Sequence, residues 1–382
     1  MSAAIERLEH DLQVLREQNN FRSLPVLSHQ GREVTLEGGT SMLNLSSNDY
    51  LGLAADTDLR REFLAELTAE SFVPSSSSSR LLTGNFNVYR HLEAELAEAF
   101  GTEAALVFNS GYHANTGILP AVSDSGTLIL ADKLVHASLI DGIRLSAARC
   151  IRYRHNDYRQ LARLVKENAP LCHRLILVTE SIFSMDGDEA DLGTLVRLKR
   201  AYPNVLLYVD EAHAFGVRGR HGLGCAEEQT CIEDIDFLVG TFGKALASAG
   251  AYVVCSRLVR NYLVNRMRTF IFTTALPPVN IEWTLFLFRR LGDMNERRKH
   301  LARISRQMRE ALHPTPSTSH IVPLIAGASA AAVTLAEELQ RKGFYVLPVR
   351  PPTVPEGTSR LRFSLTAAIT EEEITRLTAL LP

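Results

Sequence analysis

The sequence predicts a mostly parallel α/β fold followed by a smaller α+β unit, and three observations carry that expectation. From about residue 90, short apolar runs alternate with segments of helical periodicity. The runs are apolar throughout, as strands covered by helices on both faces are. Near residue 280 the rhythm changes, and an arginine-rich helical stretch gives way to shorter strands and helices.

In chain order, residues 1–17 place Ile5, Leu8, Leu12 and Leu15 at helical spacing among charged residues. A hairpin-like stretch over 32–45 leads into the turn-rich loop Ser46-Ser47-Asn48-Asp49-Tyr50-Leu51-Gly52-Leu53. Residues 75–79 are all serine. They read either as a flexible linker or, because Arg80 to Asn85 follows at once, as the lining of a polar site. A helix over 91–100 ends at Gly101. Strands are expected over 104–108, 127–130, 175–179 and 205–209, with a further apolar run at 237–239 and a helix over 191–201. Beyond 280 the pattern gives a long helix over 281–307, a strand over 321–324 and a helix over 329–342 capped by Ser329. Strands over 344–347 and 360–365 and a helix over 370–381 complete the chain. The expected division is an N-terminal helix and arm (1–45), a large domain (46–280) and a small C-terminal α+β domain (281–382).

The chain has 382 residues, 46% of them hydrophobic and 22% charged, enough for two domains with ample cores. A formal net charge of −2 gives no steering toward nucleic acid or an anionic membrane. The five cysteines are scattered without C-x-x-C spacing, which reads as reduced thiols in a cytoplasmic protein. No signal peptide and no membrane span are expected, because the N-terminus lacks a continuous apolar core and no run reaches about 18 apolar residues. No metal is expected, since neither H-E-x-x-H nor a Cys/His cluster occurs.

In folds of this class, active sites gather at the carboxyl ends of the strands. Lys244 follows the run 237–239 in Gly240-Thr241-Phe242-Gly243-Lys244-Ala245, and small residues surround it. The spacing fails as a nucleotide P-loop, because Ala245 stands where Ser or Thr must bind magnesium. The run 205–209 ends in Asp210-Glu211-Ala212-His213. A lysine, an acid and a histidine at neighbouring strand ends suit pyridoxal phosphate. The amine bonds to the cofactor aldehyde, and the carboxylate pairs with the pyridine nitrogen. Asn109-Ser110-Gly111-Tyr112 opens a helix after a strand, where free N–H groups suit a phosphate. His136 lies just beyond another strand, where its imidazole can stack on a flat ring. Each residue alone has a plainer reading: surface lysine, strand-end turn, strand-to-helix turn, capping histidine.

Together with Ser79-Arg80-Leu81-Leu82-Thr83-Gly84, Phe183-Ser184-Met185-Asp186-Gly187-Asp188 and residues 349–362, these motifs resemble the α-oxoamine synthases, pyridoxal-phosphate enzymes of fold type I. The resemblance runs from about Asn44 to the C-terminus. It implies a mostly parallel seven-stranded sheet in the large domain and an obligate homodimer with shared sites. The implied reaction joins an amino acid to an acyl thioester, carried on coenzyme A or an acyl carrier protein, with loss of carbon dioxide. By that resemblance Lys244 would bind the cofactor, Asp210 its ring nitrogen, and His136 the ring face. His213 and Ser184 would sit at the phenolic oxygen; Gly111, Tyr112 and Thr241 would bind phosphate, as would Thr274 from the neighbouring subunit. Arg350 would grip the amino-acid carboxylate, with Arg22, Asn48, His136 and Thr353 near substrate. The catalytic set is Lys244, His136, Asp210 and His213. The chain departs from the family pattern at residues 75–78 and at Leu246 and Ala247, where small or glycine residues are usual. Within the family the implied member belongs to biotin biosynthesis; relatives using glycine or serine, or an aminotransferase on the same fold, are the alternatives.

Overall fold

The computed structural model describes residues 3–381. The chain divides into two compact units. One comprises Asp56–Ser184 and Glu189–Arg298; the other comprises the described parts of Met1–Ala55 and Lys299–Pro382 together with Met185–Asp188. The expected boundaries at 45/46 and 280/281 differ from these, because residues before 56 group with the C-terminal part.

In the second-named unit, helix Ala3–Glu17 precedes an antiparallel trio, β1 (Leu27–Gln30), β2 (Glu33–Leu36) and β3 (Ser41–Asn44).

The larger unit is built on seven strands. They are β4 (Ala104–Phe108), β5 (Thr127–Asp132), β6 (Arg149–Tyr153), β7 (Arg174–Glu180), β8 (Val205–Asp210), β9 (Phe237–Thr241) and β10 (Ala251–Cys255), in spatial order β4-β10-β9-β8-β7-β5-β6. Four adjacent pairs are parallel; β10 runs antiparallel to both β4 and β9. The sheet is thus seven-stranded and mostly parallel. Every residue of β5 is buried, and β7 is buried from Leu175 onward, so these runs are apolar on both faces. Helix Asn87–Phe100 stops where Gly101 takes φ 64°, a conformation that costs glycine little, and its N–H closes on Ala97 and Glu98 carbonyls.

Two strands escaped the sequence reading. β6 is an edge strand with two arginines and a largely exposed pattern. β10 returns through the loop 242–250 rather than through a helix.

The expected helix over 281–307 is two helices, Pro278–Arg290 and Asn295–Ala311, separated by the 3-10 turn Leu291–Asp293. The buried Arg298 guanidinium donates to the carbonyls of Leu291 and Gly292, acceptors that a continuous helix would have used internally, and also to Arg220 O.

The smaller unit adds β11 (Ile321–Gly327), β12 (Phe344–Tyr345), β13 (Pro348–Val349) and β14 (Ser359–Ser364). β12 joins β3 in parallel, and β11-β14-β13 form an antiparallel sheet. The strand expected over 344–347 therefore ends at Tyr345, and β13, just beyond the expected range, belongs to a different sheet. Helix Ser329–Arg341 is preceded by Ala328 as its cap residue, without a side-chain bond. Ser329 is not the cap: its hydroxyl donates to Asn20 Oδ1. Helix Glu371–Thr378 starts with a capping box of Thr370 and Glu373.

The serine run is not a linker. Ser76 Oγ donates to Ala275 O at 2.7 Å, and Ser78 O accepts the Ala275 N–H, so the segment is strapped to 273–279. It does not line the cavity described below.

After β8, Glu211 is wholly buried and accepts from Ala226 N (2.7 Å), Cys225 N (3.0 Å) and Ser181 Oγ (2.5 Å). Burial pushes its carboxyl up to about 7, against those three donors. An acid held protonated by the fold stabilises it fully below the unfolded value of 4.5, and the contribution is lost as pH rises through about 7. The stability advantage of the parent over Glu211→Gln in urea unfolding is therefore expected to shrink between about pH 5 and about pH 8. An advantage constant with pH contradicts this.

Candidate active site

The carboxyl ends of β5, β7, β8 and β9 and the start of helix Gly111–Ala121 enclose a cavity of about 190 Å³. Gly111, Tyr112, His136, Asp210, His213, Thr241 and Lys244, all singled out from sequence, line it.

Asp210 closes β8 at 6% exposure. A carboxylate so buried needs donors. Asn115 Nδ2 donates to Oδ2 at 2.7 Å, and the Ala212 N–H donates to Oδ1 at 2.8 Å. Asn115 is itself held by Tyr208, whose hydroxyl donates to Asn115 Oδ1 at 2.6 Å. The second N–H of Asn115 goes to Ser138 Oγ at 2.9 Å, so that hydroxyl donates onward to His136 Nδ1 at 2.8 Å. The Ser138 N–H also points at Nδ1, at 3.2 Å. This network assigns the His136 proton to Nε2. Protein packed around one side of the ring lowers its pKa by desolvation, and the Lys244 charge adds to that, against Asp210 and Asp141. The imidazole is neutral, with one side open to the cavity.

Glu180 pairs with Asp210 across β7 and β8. Burial, with the adjacent Asp210 charge, holds Glu180 well above the usual carboxylate range. Its Oε1 accepts the His136 N–H at 2.5 Å. Lys244 Nζ lies 2.8 Å from His213 Nε2, and His213 is 5% exposed.

At the other end of the cavity, Ser110 caps helix Gly111–Ala121 by accepting from His113 N. The first-turn N–H groups of Gly111 and Tyr112, at a helix start beside the cavity, are of the kind that bind anions. A Cβ on Gly111 would meet only Thr241 Cβ, at 3.9 Å, so the cradle is open. Thr241 Oγ1 donates to Gly250 O and accepts from Gly243 N, which shapes the lysine loop. The Tyr112 hydroxyl donates to Asp141 Oδ2. A helix start, a buried carboxylate and an amine around one cavity fit pyridoxal phosphate, the cofactor expected from the sequence.

Other sequence candidates lie outside the cavity lining. Ser184 is buried beyond β7, and Thr274 is exposed, its carbonyl accepting from Asn109 Nδ2. Arg22, Asn48, Arg350 and Thr353 belong to the smaller unit. There Arg22 donates to Thr353 Oγ1 at 3.2 Å, and Arg350 donates to the carbonyls of Asn19 and Phe21. Burial and the Arg22 charge lower the Arg350 pKa. Asn48 Oδ1 accepts from Tyr50 OH and Arg362 Nη1. Sequence reasoning assigned no role to Asn115, Ser138 or Glu180; Asn115 lies one helical turn after Gly111, which was the available signal.

Comparisons agree with this geometry. The profile of the family described as Aminotransferase class I and II matches residues 40–381. A Pasteurella multocida protein, provisionally named 8-amino-7-oxononanoate synthase, is 55% identical over 99% of this chain and 98% of its own length. A Neisseria meningitidis protein of the same provisional name is 55% identical over 98% of this chain and 99% of its own. Among solved structures, Sphingomonas wittichii serine palmitoyltransferase has TM-score 0.87 at 29% identity, covering 99% of this chain and 96% of its own. The 8-amino-7-oxononanoate synthase of Francisella tularensis has TM-score 0.76 at 27% identity, covering 89% of this chain and 96% of its own. The chain belongs to the class I and II aminotransferase family of pyridoxal-phosphate enzymes and, within it, to the acyl-transferring α-oxoamine synthases.

Proposed function

We propose that this enzyme condenses L-alanine with a pimeloyl thioester, releasing carbon dioxide and the free thiol and yielding 8-amino-7-oxononanoate, a step of biotin biosynthesis. The observation that carries the reading is 55% identity, over nearly the whole chain, to relatives provisionally named for that reaction. The donor is carried on coenzyme A or on an acyl carrier protein, and the enzyme works in the cytoplasm as a homodimer with Thr274 reaching the neighbouring site. Among the described residues no helix is long and apolar enough to cross a membrane.

Bound pyridoxal phosphate supplies an aldehyde that joins to amines and a ring that draws an electron pair from the amino-acid α-carbon. The roles of this chain's residues follow from chemistry. Lys244 Nζ would hold the cofactor aldehyde and, when free, would take the α-proton, with His213 beside it orienting the amine. Asp210, fixed by Asn115 and Ala212, would hold a proton on the cofactor ring nitrogen and so stabilise charge drawn into the ring. His136 presents a flat neutral ring. By the family resemblance, His213 and Ser184 would hold the phenolic-oxygen side of the cofactor. By the same resemblance, Arg350 would offer a planar fork to the substrate carboxylate, and Arg22, Asn48 and Thr353 would contribute to substrate binding.

A second reading has a specific observation behind it. The serine palmitoyltransferase structures superpose with higher TM-scores than the Francisella tularensis structure. An α-oxoamine synthase taking serine or glycine with another acyl thioester is therefore the alternative, ahead of an aminotransferase.

A panel of alanine, serine and glycine against pimeloyl, palmitoyl and shorter thioesters separates these readings. Carbon dioxide release is expected with alanine and the pimeloyl donor. Preference for serine with a long-chain donor supports the alternative, and conversion of the cofactor to its amine form with a keto acid product supports an aminotransferase. Lys244→Ala is expected to fold with an unchanged melting temperature for the cofactor-free protein, yet to lose its yellow colour on dialysis. Asp210→Asn should retain cofactor but lower kcat roughly a hundredfold or more; a full rate in that variant contradicts the role given to Asp210.

A further inference from the structure

We propose that Asn280, Trp283 and Thr284 form a clamp on the turn that carries Lys244, with Trp283 as its positioning residue. The proposal rests on the reading of Lys244 as the cofactor lysine.

β9 and β10 form an antiparallel hairpin with Ala251 opposite Thr241, and the loop between them carries Lys244. Inside that loop the Ala247 N–H donates to Lys244 O at 2.9 Å and closes a turn; the Ser248 N–H donates to Phe242 O at 2.9 Å. Ala247 has φ 46°, in the left-handed region, which disfavours any residue with a Cβ and which glycine occupies freely. Such a conformation persists only where the surroundings over-determine it.

The surroundings here come from one helix. The Trp283 indole N–H donates to Ala247 O at 3.1 Å. Asn280 Nδ2 donates to Ser248 Oγ at 2.8 Å. Thr284 spends its own proton on Asn280 O, so Ser248 Oγ donates to Thr284 Oγ1 at 2.7 Å. Residues 280, 283 and 284 share one face of helix Pro278–Arg290. Phe63 and Phe286 fix the indole plane, with ring centroids 5.1 and 5.6 Å away. The indole N–H is thereby aimed at the carbonyl.

The consequence lies three residues upstream. If the carbonyl of Ala247 is released, alanine relaxes out of positive φ, the turn rotates, and Lys244 Nζ shifts from its place 2.8 Å from His213. The clamp thus acts on the cofactor bond through the backbone.

The test uses the cofactor-loaded protein with Trp283→Phe, which keeps ring packing and removes the N–H. The readouts are the rate of cofactor loss, followed by visible absorbance on dilution, and the pH midpoint of that absorbance. Cofactor loss about five- to tenfold faster is expected, the effect of one hydrogen bond, together with a displaced midpoint. Adding Ala247→Gly to Trp283→Phe is expected to restore both, because glycine holds positive φ unaided. Unchanged cofactor loss and midpoint in Trp283→Phe, or no rescue by Ala247→Gly, overturns the proposal. A melting temperature of the cofactor-free variant that falls without rescue makes Trp283 a packing residue and also overturns it. No amino acid or acyl donor enters these measurements, so failure of the alanine and pimeloyl assignment leaves the outcome readable.

Discussion

The hydrogen bond from Asn115 to Asp210 is the interaction on which the site depends. A carboxylate buried at the end of a central strand is tolerable only with donors fixed on it. Asn115 supplies one from helix Gly111–Ala121, the same helix whose first turn offers N–H groups to an anion. Four residues of α-helix rise about 6 Å, so one rigid turn sets the spacing between anion cradle and carboxylate. Asn115 also carries the arrangement to Ser138 and His136, tying the ring face to the same frame. Glu180, adjacent to Asp210 and with its pKa raised by burial and by the Asp210 charge, holds the His136 backbone.

Much of this was legible in sequence, for physical reasons. Strands buried on both faces leave continuous apolar runs, so β4, β5, β7, β8 and β9 were visible together with the chemistry at their ends. β6 was hidden because an edge strand pairs on one side only and tolerates arginines. The break at 291 was hidden because Arg298 satisfies the helix-end carbonyls from seven and six residues downstream. Lys244, Asp210, His136 and His213 could be named from strand-end position and from motif resemblance. Asn115, Ser138 and Glu180 received no role because their partners are 95, 23 and 44 residues away in sequence, and only the fold brings them together.

The two units divide the labour differently. The larger holds every residue that lines the cavity. The smaller holds the arginines assigned to substrate, and there Arg350 already donates to two backbone carbonyls while Arg22 reaches Thr353. In the proposed reading the cofactor would be held by the seven-stranded sheet of the larger unit, and the substrate carboxylate by arginines of the smaller one.

The central claim is that a single lysine, Lys244, carries the cofactor. Borohydride reduction of the loaded protein, followed by proteolysis and peptide mass mapping, tests it most directly. One reduced adduct on the peptide containing Lys244 is the predicted result; an adduct on another lysine, or none, contradicts the account.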